Sequence, residues 1–317
     1  MFKKPEVKDT ILDAATLQQI IESIEKMKSG HLNDKKFIDL IKCYTGEQFN
    51  QINREFYIRQ GQSISKFVSD LVKDEATEQL CLSILAPRYY VWAKSIHISF
   101  SDLINNSDLL ITTILSMDAI DIFKVKQQYK LQFKQDLITD FDKYITGDTF
   151  WEHLLKAWLS RDIPGTVASR YSIEKDAKKL DLATKGSGTD IDVYIKIFTT
   201  STHNEFTEII AKYEKLVGIS FVQSLDDEFD VQSLDYYAAR LVTERLKSPQ
   251  ELAEFIFSYC FTEKNGDKPM ISFLISMFKD IVLLSKIKGA QAKIKQQINV
   301  MQAGVYQNAV LSFFGFK

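Results

Sequence analysis

The stretch Thr184-Lys185-Gly186-Ser187-Gly188-Thr189-Asp190 decides how this chain is read. It is a tight glycine turn set between two helical patterns. Glycine at 186 and 188 permits positive φ, which lets the backbone aim its carbonyls outward. The helix end before it already carries unpaired carbonyls and the negative end of a dipole. Far downstream, Glu228 can add a carboxylate with two oxygens. Backbone carbonyls plus a bidentate carboxylate suit a hard, oxygen-seeking cation, and calcium is the natural candidate. The same turn also reads as a helix–turn–helix corner with no metal. In that reading a glycine ends one helix, Thr189 caps the next, and Asp190 sits in its first turn.

Working outward, helical periodicity dominates. Ile11, Ala14, Ala15, Gln18, Ile21 and Ile24 form a 3.6-residue stripe with Glu22, Glu25 and Lys26 opposite. Similar patterns recur at 34–43, 46–60, 63–72 and 74–85, and no run shows convincing strand alternation. The expected fold class is all-α. The 12 Gly and 5 Pro in 317 residues agree with helices joined by few irregular loops.

The helices recur with a long period, which signals a repeat architecture. First-helix turns start at Ser29, Leu103, Gly186 and Thr262, at intervals of 74, 83 and 76 residues. Matched positions are apolar: Leu40, Ile114, Ile197 and Phe273, then Ile41, Leu115, Phe198 and Leu274, then Phe49, Phe123, Phe206 and Val282. All of these are expected to pack in the core. The expected division is a short N-terminal segment (1–10), repeats at 11–85 and 86–160, a Pro-Gly linker (161–171) and repeats at 172–247 and 248–317. The linker splits the array into two pairs. Each repeat is too small to bury its apolar faces alone, so neighbours must share a core.

Net charge is −2, so no global basic field of the nucleic-acid-binding kind exists. No apolar run approaches the ~18 residues of a membrane span. Residues 1–8 have no apolar signal core, and Phe2 excludes N-myristoylation. Cys43, Cys81 and Cys260 are odd in number and widely spaced, as expected of reduced thiols in the cytoplasm. No nucleophile elbow, P-loop or His-Glu-x-x-His is present, so no enzyme is expected. Asp226 and Asp227, next to Glu228, read as a solvated helix end. His31, His97 and His203 read as local capping or packing residues, and Trp92, Trp151 and Trp158 as core or inter-repeat contacts.

Lys185-Gly186-Ser187-Gly188-Thr189-Asp190 resembles the annexin repeat signature, and Glu228 stands 42 positions after Gly186, at the spacing of the annexin acid. Four units of about 75 residues extend the resemblance over almost the whole chain. Three further stretches resemble the α-giardins, divergent annexins: Trp151–Trp158, Asp235-Tyr236-Tyr237 and Glu263–Lys268. The resemblance implies four repeats of about five helices, A to E, in a slightly curved disc. It implies that calcium is held by the carbonyls of Thr184, Gly186 and Gly188 with the carboxylate of Glu228. It also implies that Lys185 and Ser187 touch acidic phospholipid headgroups. A cytoplasmic, peripheral place at the plasma membrane follows, with flagella or the adhesive disc as a cytoskeletal setting.

The other repeats depart from the signature. Repeat 1 keeps a displaced glycine, and Lys28, Gly30 and Asp70 form a weaker second candidate metal site. In repeat 2 the acid spacing falls on Ile145 or Tyr144, and in repeat 4 on Gly304. Ile191 replaces the acid of the annexin accessory site. One good site out of four lowers avidity for a membrane. The alternative is a calcium-independent structural protein that binds microtubules or another cytoskeletal partner. Lys286, Lys288, Lys293 and Lys295 read as a solvated helix face, or more sharply as a contact for tubulin tails or an acidic polysaccharide.

Overall fold

The structure, a computed structural model, describes residues 11–27, 37–38, 40, 44, 46–161, 173–185, 189–261, 268–278 and 288–316. Among them eighteen α-helices and no strand form. Repeat 1 contains α1 (Ala14–Lys26), α2 (Gly46–Gln60), α3 (Ile64–Leu71) and α4 (Glu75–Leu85). Repeat 2 contains α5 (Arg88–Ser101), α6 (Leu103–Leu115), α7 (Ala119–Phe133), α8 (Leu137–Tyr144) and α9 (Phe150–Leu159). Repeat 3 contains α10 (Ile173–Ala183), α11 (Ile191–Thr200), α12 (His203–Val217), α13 (Phe221–Glu228) and α14 (Leu234–Lys247). Repeat 4 contains α15 (Pro249–Cys260), α16 (Lys268–Phe278), α17 (Gln291–Ile298) and α18 (Val305–Phe314). The expected helices at 46–60, 63–72 and 74–85 all form. Much of the expected helix at 34–43 lies outside the described residues.

Capping chemistry repeats along with the helices. Asp118 and Thr202 open α7 and α12 with capping boxes completed by Asp121 and Glu205. The eight-residue helices α3, α8 and α13 open on Ser63, Asp136 and Ser220, whose side chains accept backbone N–H groups of the first turn. After α2, α7 and α12 comes a left-handed residue: Gly61 (φ 68°), Lys134 (φ 59°) and Gly218 (φ 84°). Lys134 is the non-glycine among them. A Cβ costs about 1 kcal/mol in this conformation. Lys134→Gly is therefore expected to stabilise the chain by about 1 kcal/mol, read as a higher urea midpoint at unchanged slope.

The helices gather into two compact units. One comprises the residues up to Val91 and those from Phe257 onward; the other runs from Trp92 to Ile256. In the first, α16 and α18 pack on α4, burying Leu80, Cys81, Phe273, Leu274 and Phe313. In the second, α9 packs on α6, α11 and α14, burying Leu154, Leu155, Trp158, Ile114, Ile197 and Phe198. The linker thus does not divide the packing as the sequence suggests: the helices before and after it share one unit. The apolar faces of repeat 2 are completed by repeat 3, and those of repeat 1 by repeat 4.

Two core assignments are corrected. Of the expected α1 stripe, Ile11 is 83% exposed and Ala14, Ala15 and Gln18 are exposed with it; the buried face of α1 is Ile20, Ile21 and Ile24. Phe123 is 47% exposed. The buried face of α7 is Ala119, Ile122, Val125 and Tyr129, and Phe123 is turned about 100° from Ile122. Counted from the helix starts, Phe206 in α12 matches Ile122, so alignment on the first-helix turn slips by one residue in repeat 2. Trp92 and Trp158 are buried, and Trp151 is nearly so. His97 stacks on Phe133 (3.8 Å between ring centroids) and His203 bonds the Leu246 carbonyl (2.6 Å), as packing residues do. Cys81 and Cys260 are buried; Cys43 and His31 lie outside the described residues.

Candidate metal centre

The corner between α10 and α11 is held from both sides. Before the turn, Lys185 N–H donates to the Leu182 carbonyl (3.2 Å), and beyond it Asp190 N–H donates back to the Ala183 carbonyl (3.2 Å). These bonds leave the Thr184 carbonyl without a partner among the described residues. The Thr184 hydroxyl donates to the Asp181 carbonyl (3.0 Å). The Lys185 ammonium folds back onto the buried carboxylate of Asp181 (2.6 Å). Gly186, Ser187 and Gly188 lie outside the described residues.

Glu228 is the last residue of α13 and is half-buried. The Thr189 hydroxyl donates to its Oε2 (2.7 Å), joining two points 39 residues apart. This differs from the capping role expected of Thr189. Asp190 is the N-cap of α11, without a side-chain cap bond, and Thr189 turns to the acid instead.

What aims Glu228 was not apparent from sequence. The hydroxyl of Tyr236, in the first turn of α14, donates to Asp226 Oδ1 (2.6 Å) and pins the last turn of α13. Asp226 is exposed, yet it has this partner. Near the acid lies Tyr194, fully buried in α11, whose hydroxyl finds no partner among the described residues. Its pKa is raised by burial, then by Tyr213 and by the nearby charge of Glu228. A tyrosine one turn into a helix reads from sequence only as core, so its closeness to the acid gives no sequence signal.

Among the described residues, no three His, Cys, Asp or Glu side chains gather to hold a metal. Any cation at this corner would draw most of its ligands from backbone carbonyls, with Glu228 as its charged ligand. That donor set is all oxygen and fits calcium.

The second candidate fits less well. Asp70 is exposed, one residue before the end of α3, and its carboxylate pairs with Lys66 on its own helix. Lys28 and Gly30 lie outside the described residues. At the helix end that Glu228 occupies in repeat 3 stand Leu71, Tyr144 and Ile298. Tyr144 stacks on Phe100 (5.4 Å), and Gly304 only opens α18. The α5–α6 corner of repeat 2 closes on Asp102, whose carboxylate accepts from Asn105 (2.9 Å). Lys293 and Lys295 fall on α17. Lys286 and the repeat 4 loop 262–267 lie outside the described residues.

The annexin family model matches residues 175–233, the span that contains both sides of this corner. Giardin subunit alpha-4 of Giardia intestinalis is 25% identical over 273 residues, covering 86% of this chain and 89% of that protein. Annexin E1 of the same organism is 26% identical over 273 residues, covering 83% and 77%. Calcium-bound alpha-14 giardin superposes with a TM-score of 0.80 at 20% identity, covering 95% of this chain and 98% of that one. Annexin III gives 0.79 at 15% identity, covering 96% of each. The fold is the four-repeat helical fold of the annexins. Within that class the chain is similar to the Giardia giardins, as the sequence resemblance led one to expect.

Two of the stretches that carried the giardin resemblance meet in space. Trp151 N–H, at the start of α9, donates to Asp235 Oδ1 at the start of α14 (2.9 Å). Burial raises the Asp235 pKa, while the Trp151 N–H pulls it down.

Proposed function

We propose that the chain binds calcium at the Thr184–Asp190 corner and, through it, acidic phospholipid. The observation that carries this reading is the Thr189–Glu228 hydrogen bond, which joins the acid at the end of α13 to the residue before the N-cap of α11. Thr184, Gly186 and Gly188 would supply carbonyls and Glu228 two further oxygens. A bound calcium supplies Lewis acidity and open coordination positions that lipid phosphate can fill. Lys185, once released from Asp181, and Ser187 would meet the headgroups. The calcium-bound giardin of similar fold supports the choice of metal.

With one acid-bearing corner in four repeats, binding lacks the multiplied affinity of linked sites. Full-length chain is expected to sediment with phosphatidylserine vesicles only when calcium is added, and to need high calcium. Half-saturation at submicromolar calcium would contradict a single corner, and no sedimentation at millimolar calcium would overturn the reading.

A second reading rests on the loss of the acid at Leu71, Tyr144 and Ile298. It makes the chain a calcium-independent structural protein docking on tubulin or another cytoskeletal partner, or on an acidic polysaccharide, in a flagellar or adhesive-disc setting. Co-pelleting with microtubules in chelator separates it from the first. Both readings place the chain in the cytoplasm, at the inner face of the plasma membrane or the cytoskeleton beneath it. Neither makes it an enzyme.

A further inference from the structure

In the unit from Trp92 to Ile256, the end opposite the calcium corner carries two arginines that, among the described residues, have no carboxylate within ion-pair distance. The direction of the helices establishes which end this is. Trp151 meets Asp235 near the starts of α9 and α14, and the Thr112 hydroxyl meets that of Tyr237 (2.6 Å). Further along, Trp158 Nε1–H donates to the Met117 carbonyl (3.1 Å), and Arg245 approaches the Trp158 ring. α6, α9 and α14 therefore run the same way. Arg245 lies ten residues along α14 from Asp235, about 15 Å from the end where Glu228 sits.

At this far end the Arg161 guanidinium lies over the buried Trp158 ring, 4.1 Å from its centroid, with that of Arg245 at 6.0 Å. Both side chains are only partly exposed. Among the described residues, neither has a hydrogen-bond acceptor or a carboxylate within ion-pair distance. The acids that face them are Asp118 and, for Arg245, Asp121. Asp118 is exposed and spends its carboxylate on capping α7. The Lys126 ammonium is bonded to the Leu159 carbonyl at the end of α9 (2.7 Å).

Two adjacent, half-buried guanidiniums repel each other and have given up part of their hydration, a cost normally offset by an ion pair. Burial, and then the neighbouring Arg245, pull the Arg161 pKa down to about 10; Asp118 opposes them. Burial pulls the Arg245 pKa down too, opposed by Asp118 and Asp121, and a guanidinium keeps its charge in proteins. Their planar forks match a tetrahedral oxyanion, and a dianion neutralises the pair.

We propose that Arg161 and Arg245, backed by Trp158, form a binding site for the phosphate group of a soluble ligand. The site stands apart from the calcium reading and does not depend on it. Its place about 15 Å along the helices from the Glu228 corner keeps it away from a membrane held there.

The test uses full-length chain in chelator, titrated with inorganic phosphate by calorimetry against chloride at matched ionic strength. Saturable binding near one per chain is expected, weakened about tenfold or more in Arg161→Gln, since a hydrogen bond to a charged group is worth about 1.5–3 kcal/mol. Arg161→Lys, which keeps the charge and the apolar stem but not the fork, is expected to bind several-fold more weakly with unchanged circular dichroism, and it stands in if the Gln variant unfolds. No heat beyond the chloride control overturns the proposal, as does unchanged affinity in both variants. A parallel arm offers phosphatidylserine vesicles in chelator. Sedimentation that requires Arg161 would assign the pair to a lipid headgroup and overturn the soluble ligand.

Discussion

Glu228→Gln is expected to abolish calcium-dependent binding to acidic vesicles while leaving the fold intact. The amide is isosteric with the carboxylate, and its oxygen can still accept the Thr189 hydroxyl that now reaches Oε2 at 2.7 Å. The corner bonds at Leu182 and Ala183 are backbone and unaffected. What disappears is the negative charge and one of two ligating oxygens. Among the described residues no three acidic or metal-ligating side chains gather here, and the Asp181 carboxylate at the corner is already paired with Lys185, so the lost charge is not made up. A charged interaction replaced by a neutral one at this scale costs on the order of 1.5–3 kcal/mol. The calcium needed for half-maximal sedimentation should then rise ten- to a hundredfold or pass beyond reach. Unfolding midpoint in chelator, where no metal contributes, should match the parent chain. Full vesicle binding by Glu228→Gln would remove the corner from the mechanism and leave the calcium-independent cytoskeletal reading in its place.

How much of this was legible in the sequence depends on the range over which each signal acts. Helices were readable because apolar period and caps are local: Ser63, Thr202 and Ser220 announce their helices within three residues. The repeat was readable because its period recurs. Register within it was less so, since the corner before α6 is short and shifts Phe123 off the buried face. The pairing of repeats was misread because a Pro-Gly linker looks like a boundary in sequence, while packing follows which apolar faces meet in space. Glu228 was found through its spacing from Gly186, a resemblance and not a contact. Its orienting partners were invisible for the same reason: Tyr236 acts through Asp226, and Thr189 looked like a cap. The arginine pair joins residues 161 and 245, and no sequence pattern brings those two together.

Phe221→Ala should be among the most damaging single truncations in this unit and should damage the site with it. Phe221 is 1% exposed and opens α13. Its ring meets those of Tyr213 (5.6 Å, edge-on), Phe206 (6.1 Å), Tyr194 (6.3 Å) and Phe198 (6.4 Å), side chains drawn from α11 and α12. Its backbone N–H also donates to Glu214 Oε1 (2.9 Å), which survives the substitution. Emptying so aromatic a site costs about 3–5 kcal/mol, transfer and cavity together. Against a typical total of about 5–15 kcal/mol this is a large share, and the urea midpoint should fall accordingly. The functional consequence follows from length: α13 has only eight residues, so its buried first residue and Glu228 are two ends of one short lever. Tyr236 holds the far end through Asp226, but with the near end loosened the carboxylate can no longer be fixed against Thr189. Calcium stabilises a folded state in proportion to its affinity for it. Added calcium should therefore raise the midpoint of Phe221→Ala by less than it raises that of the parent chain. A drop in stability with an undiminished calcium increment would show that α14, and not the aromatic cluster, positions Glu228.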